Sequence, residues 1–441
     1  MIGFLFLGDV LVFYLSLILT LVFRYQDLWL RRFNEHFLPF SFILILWLLV
    51  FYISGLYEKK KLRNVIDFFK TLFLAIILNI FLAITFFYFF LFVGIRPKIN
   101  LFIFCFIFLI LEFFWRRYFN SIIINFLPKL RILLITDKKE HSEIYQFLFK
   151  NKQFGYEIAY LFKIDELPNF LNNLNDWQKF VSENKINIIL VPFSFKSNSN
   201  FSKIFYELLS YGIVIYDMPS FYELIFKKVP LFEINEEWFL DKILNQEKFY
   251  DKLKEAFEFV FALFLFIVLL PLEILIAILI KLTSRGPVIY KQVRVGKNNQ
   301  EFVLYKFRTM REDAEKDGPQ WKKSGDNDPR FTLIGKILAK THLDELPQLI
   351  NILKGEISFV GPRPERPEFI KILEKQIPYY NIRHLIKPGI TGWAQINYKY
   401  GASIEDAYQK LQYDIYYIKN KSIILDLAII IKTIKNFFVN N

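Results

Sequence analysis

The chain holds 441 residues, 54% of them hydrophobic and 19% aromatic, with 53 phenylalanines and a formal charge of +13. That composition excludes an ordinary soluble domain, and the length allows two or three folding units. A basic surplus on so apolar a chain points to a lipid bilayer with anionic headgroups, to an anionic substrate, or to both; with no helix-turn-helix, zinc-finger or RNA-binding signature, no nucleic acid is expected as a partner. Cys105, the single cysteine, lies within an apolar run, so neither an intrachain disulfide nor a cysteine-rich zinc site can form.

Four apolar runs come first, at about residues 3–23, 37–56, 71–94 and 99–115. Each approaches the roughly 20 residues that span a bilayer, which predicts a four-helix transmembrane domain over residues 1–118. The first run outlasts a signal-peptide core, holds Asp9 and lacks a small-residue cleavage site, so it is expected to be retained. The basic clusters "EKKKLR" (58–63) and "WRRYF" (115–119) belong on the cytoplasmic side by the positive-inside rule, which puts the N-terminus inside as well. Arg24, Arg31 and Arg32 in the first loop weaken that orientation without reversing it.

From about residue 129 short β-rich runs alternate with polar helical stretches: "RILLIT" (131–136), "INIILVPF" (187–194) and "GIVIYD" (212–217). The alternation predicts an α/β domain with a parallel sheet over residues 125–245, Rossmann-like in outline. It is degenerate, because "DKKEH" follows the first run where a G-x-G-x-x-G turn would bind phosphate. A structural or regulatory role is expected of it, with nucleotide binding the alternative.

Next comes "AFEFVFALFLFIVLLPLEILIAILIKL" (256–282), long enough for a fifth span. Pro271 interrupts it, Glu258 and Glu273 are costly in hydrocarbon, and both flanks are basic. Lys248, Lys252 and Lys254 precede it, and Lys281, Arg285, Lys291 and Arg294 follow. These features predict a re-entrant helix, broken at Pro271, that opens a mostly α-helical monotopic domain over residues 246–441. The last apolar stretch, "SIILDLAIIIKTIKNFF" (422–438), carries Asp426, Lys432 and Lys435 and reads as an interfacial or core helix.

Within this last domain "HLDELPQL" (342–349) sets Asp344 beside Glu345. Leu346, Leu349, Ile350 and Leu353 follow at helical spacing, and Lys354-Gly355 marks a stop. Pro347 belongs in a first turn, which places Asp344 near the N-cap. Two readings remain open at this point: a helix cap, or a carboxylate kept ionised where phosphate is also attracted.

The motifs "GPVIYKQVRVG" (286–296), "YKFRTM" (305–310), "DPRFTLIGK" (328–336), "LDELPQL" (343–349), "GEISFVGPRPERPEF" (355–369), "PGITGWAQI" (388–396) and "KLQYDIYYIKN" (410–420) come in series. In that order they closely resemble the bacterial sugar transferases, the monotopic polyprenyl-phosphate hexose-1-phosphate transferases, over about residues 250–441. Four spans and an α/β unit ahead of them are similar to the long-form members that prime exopolysaccharide or O-antigen synthesis. The resemblance implies transfer of a hexose 1-phosphate from a UDP-sugar to undecaprenyl phosphate, with release of UMP, at the cytoplasmic face of the bacterial inner membrane. It further implies Asp344 as nucleophile, forming a covalent phosphosugar intermediate, with Glu345 assisting and Mg2+ required, held through Asp344. The chemistry is consistent, since displacement at phosphorus needs an ionised nucleophile and cations at the phosphoryl oxygens.

Pro362 and Pro364 fix the backbone around Arg363 and so aim its guanidinium, a group suited to phosphate. Lys306 and Arg308, and Arg294 with Gln292, are further candidates for the nucleotide or lipid phosphate, set against structural salt bridges. Asp313 and Glu315 lie in a charged run that reads as a solvated helix face, and His342 is expected to line the site. Two positions depart from the family pattern. Ala339 stands where an arginine is usual, so its charge is lost or supplied by Lys336 or Lys340; Leu270-Pro271 replaces the usual Ser-Pro at the helix break. A transporter is disfavoured because the polar residues cluster outside the spans. A catalytically dead scaffold or sensor of an envelope complex is the surviving alternative. The sugar transferred and any homo-oligomer are left open.

Overall fold

The computed structural model describes residues 2–58, 62, 66–89, 98–126, 129–136, 142–163, 174–193, 199–243, 248–314, 328–398, 401 and 403–440. The chain divides into two compact units, Met1–Tyr216 and Asp217–Asn441.

The first unit opens with four long helices: α1 (Ile2–Tyr25), α2 (Trp29–Ile53), α3 (Ile66–Phe89) and α4 (Lys98–Phe126). A single 3-10 turn over Gln26–Leu28 joins the first two. The stretches Ile2–Ile53, Phe68–Phe87 and Ile99–Ile122 are long and apolar enough to cross a membrane. Inside the bundle, aromatic rings interlock edge to face, with Phe13 5.5 Å from Trp47 and 4.9 Å from Phe104. Outside, Leu11, Phe23, Phe102 and Phe106 are exposed, so the bundle is apolar on both surfaces, as lipid requires. Cys105 is buried in this core.

One polar knot interrupts the bundle. Arg116 donates to Asp9 Oδ2 at 2.6 Å, to Glu112 Oε1 at 2.7 Å and to the Leu56 carbonyl at 3.0 Å. Tyr57 and Trp115 also donate to Asp9, at 2.5 and 3.0 Å. The Asp9, Glu112 and Arg116 side chains are all fully buried. Arg116 is therefore a partner inside the bundle rather than a member of a solvated basic flank. Of the other cluster, "EKKKLR", residues 59–61 and 63 lie outside the described residues.

The remainder of this unit alternates strand and helix: β1 (Leu130–Ile135), α5 (Ser142–Lys150), β2 (Tyr156–Phe162), α6 (Leu174–Glu183), β3 (Ile188–Val191), α7 (Ser199–Leu209) and β4 (Val214–Asp217). The sheet order is β2-β1-β3-β4, with β1 parallel to both its neighbours. The two central strands are the buried aliphatic runs legible in the sequence, as parallel pairing covered on both faces demands. Strand β2 was not among the predicted runs; its edge position leaves it half-buried and without an aliphatic block. The segment 137–141, the position of a phosphate-binding turn in such a domain, lies outside the described residues.

The second unit begins earlier than the predicted domain boundary. Asp217 caps α8 (Met218–Phe226) by accepting from Ser220 N at 2.7 Å, and Asn235 caps α9 (Glu236–Lys242) by accepting from Trp238 N at 3.1 Å. Both helices pack within the C-terminal unit. Glu223 pairs with Lys419 at 2.8 Å, Val229 N donates to Gln412 O at 3.0 Å, and Trp393 Nε1 donates to Lys227 O at 2.8 Å.

Helix α10 (Lys248–Thr283) runs 36 residues with Pro271 inside it, so the predicted break at that proline is not seen as an end of the helix. Leu270 and Pro271 lie on its exposed side. Phe257, Val260, Phe264, Ile267 and Ile274 are exposed along the same helix. Glu258 sits on the opposite, buried side, accepting from Ser358 Oγ at 2.6 Å and Phe359 N at 3.1 Å, so its carboxyl has partners inside the unit. Farther along, Ile276 and Ile280 pack with Phe307 and Leu338.

Beyond α10 the hairpin β5 (Ile289–Val295) and β6 (Glu301–Phe307) pairs antiparallel from Ile289↔Phe307 to Val295↔Glu301. Helix α11 (Leu333–Thr341) starts at a Thr332 cap and presses on the chain leaving β6; a Cβ on Gly335 would lie 1.8 Å from the Thr309 carbonyl oxygen. Then come α12 (Gln348–Leu353), β7 (Ser358–Val360), α13 (Pro367–Gln376) and β8 (Gly389–Thr391), which pairs parallel with β7. Helices α14 (Trp393–Asn397), α15 (Ile404–Asn420) and α16 (Ile423–Asn440) complete the unit. Helix α16 buries Ile429 against the unit and exposes Ile424, Leu427 and Ile434.

Candidate active site

Three elements deliver four side chains to one place. Strand β6 carries Lys306, a 3-10 turn over Leu343–Glu345 carries the two acids, and the loop after β7 carries Arg363. His342 makes this possible: its left-handed backbone (φ 56°) ends α11 and turns the chain into the acidic turn. Leu343 and Leu346 then anchor that turn in the cluster formed by Ile276, Ile280 and Phe307.

Glu345 Oε1 accepts from Lys306 Nζ at 2.7 Å and from Arg363 Nη2 at 2.9 Å. Asp344 Oδ1, by contrast, is buried with no hydrogen-bond partner among the described residues. Neither acid caps a helix. Pro347 is the N-cap of α12, no side-chain cap bond is present, and the helix has only six residues. The capping alternative thus fails, and so does the idea that a helix N-terminus stabilises charge here.

The two carboxyls are pulled apart. Burial pushes Glu345 up, but the charges of Lys306 and Arg363, and their hydrogen bonds, outweigh it and hold the group well below the usual carboxylate range. Burial also pushes Asp344 up; Lys306 opposes and the Glu345 charge adds, leaving it raised. Adjacent acids divided in this way suit different tasks.

Two of the remaining predicted cations, Arg294 and Arg308, face groups of the scaffold. Arg294 donates to Gln292 Oε1 at 2.9 and 2.5 Å, to the Pro364 carbonyl at 2.9 Å and to Glu365 at 3.2 Å, so it and Gln292 hold the "GPRP" loop from β5. Buried Arg308 donates to the Ser284 carbonyl, to Ser284 Oγ and to the Arg285 carbonyl, closing the chain beyond the end of α10. Lys336 and Lys340 are exposed on α11, where Ala339 stands between them. Asp313 is exposed, and Glu315 lies outside the described residues.

The scaffolding of the site lies outside its motifs' charged residues. Fully buried Asn351 donates to the Val303 carbonyl at 2.7 Å and accepts from Tyr305 N at 3.1 Å, tying α12 to β6 beside Lys306. An asparagine inside the apolar run "LINIL" was the available signal. Arg383, within a 3-10 stretch over Tyr380–Leu385, donates to the Arg363 carbonyl at 2.8 Å. Gly361 is required by crowding: a Cβ there would lie 2.5 Å from the Lys387 carbonyl oxygen.

Among the described residues no group of three or more His, Cys, Asp or Glu could hold a metal ion. Asp344 still fits magnesium, which often takes one carboxylate and draws its other ligands from substrate phosphates and water. The orphaned Oδ1 has the donor chemistry such a role would need.

Residues 249–440 match the sequence model of the bacterial sugar transferase family. The chain is 47% identical over 165 residues to UDP-N-acetylgalactosamine-undecaprenyl-phosphate N-acetylgalactosaminephosphotransferase of Aeromonas hydrophila, covering 37% of this chain and 38% of that protein. It is 38% identical over 190 residues to UDP-glucose:undecaprenyl-phosphate glucose-1-phosphate transferase of Escherichia coli K12, covering 43% and 40%. With the exopolysaccharide production protein PSS of Rhizobium leguminosarum bv. phaseoli it shares 42% identity over 187 residues, 41% of this chain and 93% of that protein. The match thus spans about two fifths of the first two relatives, by their shares of 38% and 40%, and nearly all of the third.

Proposed function

The chain belongs to the bacterial sugar transferase family, and on that premise we propose that it transfers a sugar 1-phosphate from a UDP-sugar to undecaprenyl phosphate, releasing UMP, as a priming step of cell-surface polysaccharide synthesis. The observation that carries the reading is the divided pair of acids: Asp344 with an unengaged oxygen, beside Glu345 clasped by two cations.

In the first step a carboxylate oxygen of Asp344 attacks the sugar-bearing phosphorus of the UDP-sugar. An aspartyl O–P bond forms, the P–O bond to UMP breaks, and UMP departs with the electron pair. In the second step a phosphate oxygen of undecaprenyl phosphate attacks the same phosphorus and frees the Asp344 carboxylate. Glu345, held ionised, is a poor proton acceptor, and an anionic phosphate acceptor needs no base. Its task is to hold Lys306 and Arg363 where the transferring phosphoryl group meets their charge. Asp344 Oδ1 and the substrate's own phosphate oxygens would hold magnesium, which neutralises phosphoryl charge when bound.

The membrane disposition follows the same logic. Helix α10 touches the catalytic unit near its start, through Glu258, and near its end, through Ile276 and Ile280. Both ends therefore stay on the side where that unit lies, which supports a re-entrant helix over a crossing one. We place that side in the cytoplasm of a bacterial inner membrane, where UDP-sugars are made. The β2-β1-β3-β4 sheet we read as a Rossmann-like unit of structural or regulatory role.

The test is exchange of radiolabelled UMP into UDP-sugar without lipid acceptor. Exchange is expected in the parent, across a panel of UDP-sugars that names the substrate, and a loss of at least about 10^3-fold is expected in Asp344→Asn. Asp344 caps nothing, so the variant should fold as the parent does. Full activity in folded Asp344→Asn would reject the covalent mechanism.

A further inference from the structure

We propose that Arg383, held in place by Asp414, is a positioning residue that presents Arg363 to the transferring phosphoryl group. The proposal rests on the transferase reading above.

The Arg363 side chain is about half exposed (46%) and reaches Glu345 through one nitrogen, as a group that must also meet an incoming phosphate should. Its aim is set from the backbone. Pro362 and Pro364 restrict the chain on either side, and the two successive carbonyls of Arg363 and Pro364 are each gripped by a guanidinium, that of Arg383 buried and that of Arg294 partly so. Arg294, from β5, takes the Pro364 carbonyl at 2.9 Å. Arg383 takes the Arg363 carbonyl at 2.8 Å.

Arg383 is itself pinned. The nitrogen that reaches the Arg363 carbonyl also meets Asp414 Oδ2 at 3.0 Å, and the other terminal nitrogen donates to Tyr380 Oη at 2.6 Å. Arg383 and Asp414 are both buried, the latter on α15, and neither touches Asp344, Glu345 or Lys306 in any contact described above. A buried guanidinium–carboxylate pair is a poor device for stability alone, because desolvation cancels much of the attraction. It is a good device for directing donors at one carbonyl. Misplacement of a phosphate-binding group by about 1 Å is enough to cost ~10^2-fold in rate.

The experiment is a double-mutant cycle on the full chain in detergent, scored by radiolabelled UMP release with undecaprenyl phosphate. It compares the parent, Arg383→Lys, Arg363→Lys and the double variant, with Asp414→Asn and its own double as a second arm. Arg383→Lys is expected to lower kcat by roughly 30- to 100-fold with KM for UDP-sugar within about twofold, since the loss falls in the transition state. In the Arg363→Lys background the same change should cost less than about threefold, because the residue it serves is already gone. Equal losses in both backgrounds, or parent-like kcat in Arg383→Lys and Asp414→Asn alike, would overturn the proposal. If Arg383→Lys fails to fold, the Asp414→Asn arm decides by the same criterion. A parent that releases no UMP would instead defeat the transferase reading, so the two failures are distinguishable.

Discussion

Asp344 and Glu345 share a turn but not an electrostatic environment, and the difference governs how activity responds to pH. Burial raises Asp344, so under the proposed mechanism its carboxyl takes up its proton at a higher pH than an ordinary aspartate. Rate should therefore fall as pH is lowered from neutrality, along a single acid limb. Glu345, held below the usual range by Lys306 and Arg363, stays ionised across that window and adds no limb of its own. Glu345→Gln removes the negative charge that raises Asp344 and frees Lys306 to act on it. The acid limb should then move to lower pH, while kcat drops about 10- to 100-fold as the cations lose their anchor. A profile of kcat/KM against pH for parent and variant checks both signs; an upward move of the limb would contradict the assignment. Lys306, Arg363 and the two acids were legible as a set because their motifs mark them. The carbonyls that Arg294 and Arg308 face were not legible, because a sequence shows a cation and not its partner.

At the scale of the element, α10 decides how the catalytic unit meets the bilayer. Single cysteines replacing Asp241 and Asn298, which flank the helix, should react from the same side with an impermeant reagent; opposite labelling would make α10 a crossing helix. Its first turns are fixed by Lys254, which lies 2.8 Å from each of the Val360 carbonyl, Tyr417 Oη and Asp426 Oδ2. Lys254→Met leaves Asp426 without its cation in a largely buried place, and should cost about 3 kcal/mol, read as a lowered unfolding midpoint in detergent. Length, apolarity and basic flanks made this helix readable, but the side that Glu258 faces was not. That depends on Ser358 and Phe359, a hundred residues on, and no local period reports a partner so distant. The edge strand β2 escaped for a related reason, since half-burial leaves an indistinct pattern.

At the scale of the whole molecule, the catalytic unit is larger than the region its family shares. Residues 249–440 match the family, yet Met218, Phe221, Tyr222 and Trp238 are buried in the unit that starts at Asp217. A fragment starting at Asp217 should retain UMP release in detergent. One starting at residue 245 would bare the apolar groups that α8 and α9 cover and should lose most of its folded yield; equal yield and activity from both would show α8 and α9 to be dispensable. The four-helix bundle has a different use. Cys105, 5% exposed among Phe104, Phe108 and their neighbours, is the chain's one thiol, and it is sealed away from water-borne reagents. This chain is therefore already its own silent background for thiol chemistry. Spin labels or fluorophores can be attached at any chosen surface position, in pairs if distances are wanted, without first removing a native cysteine.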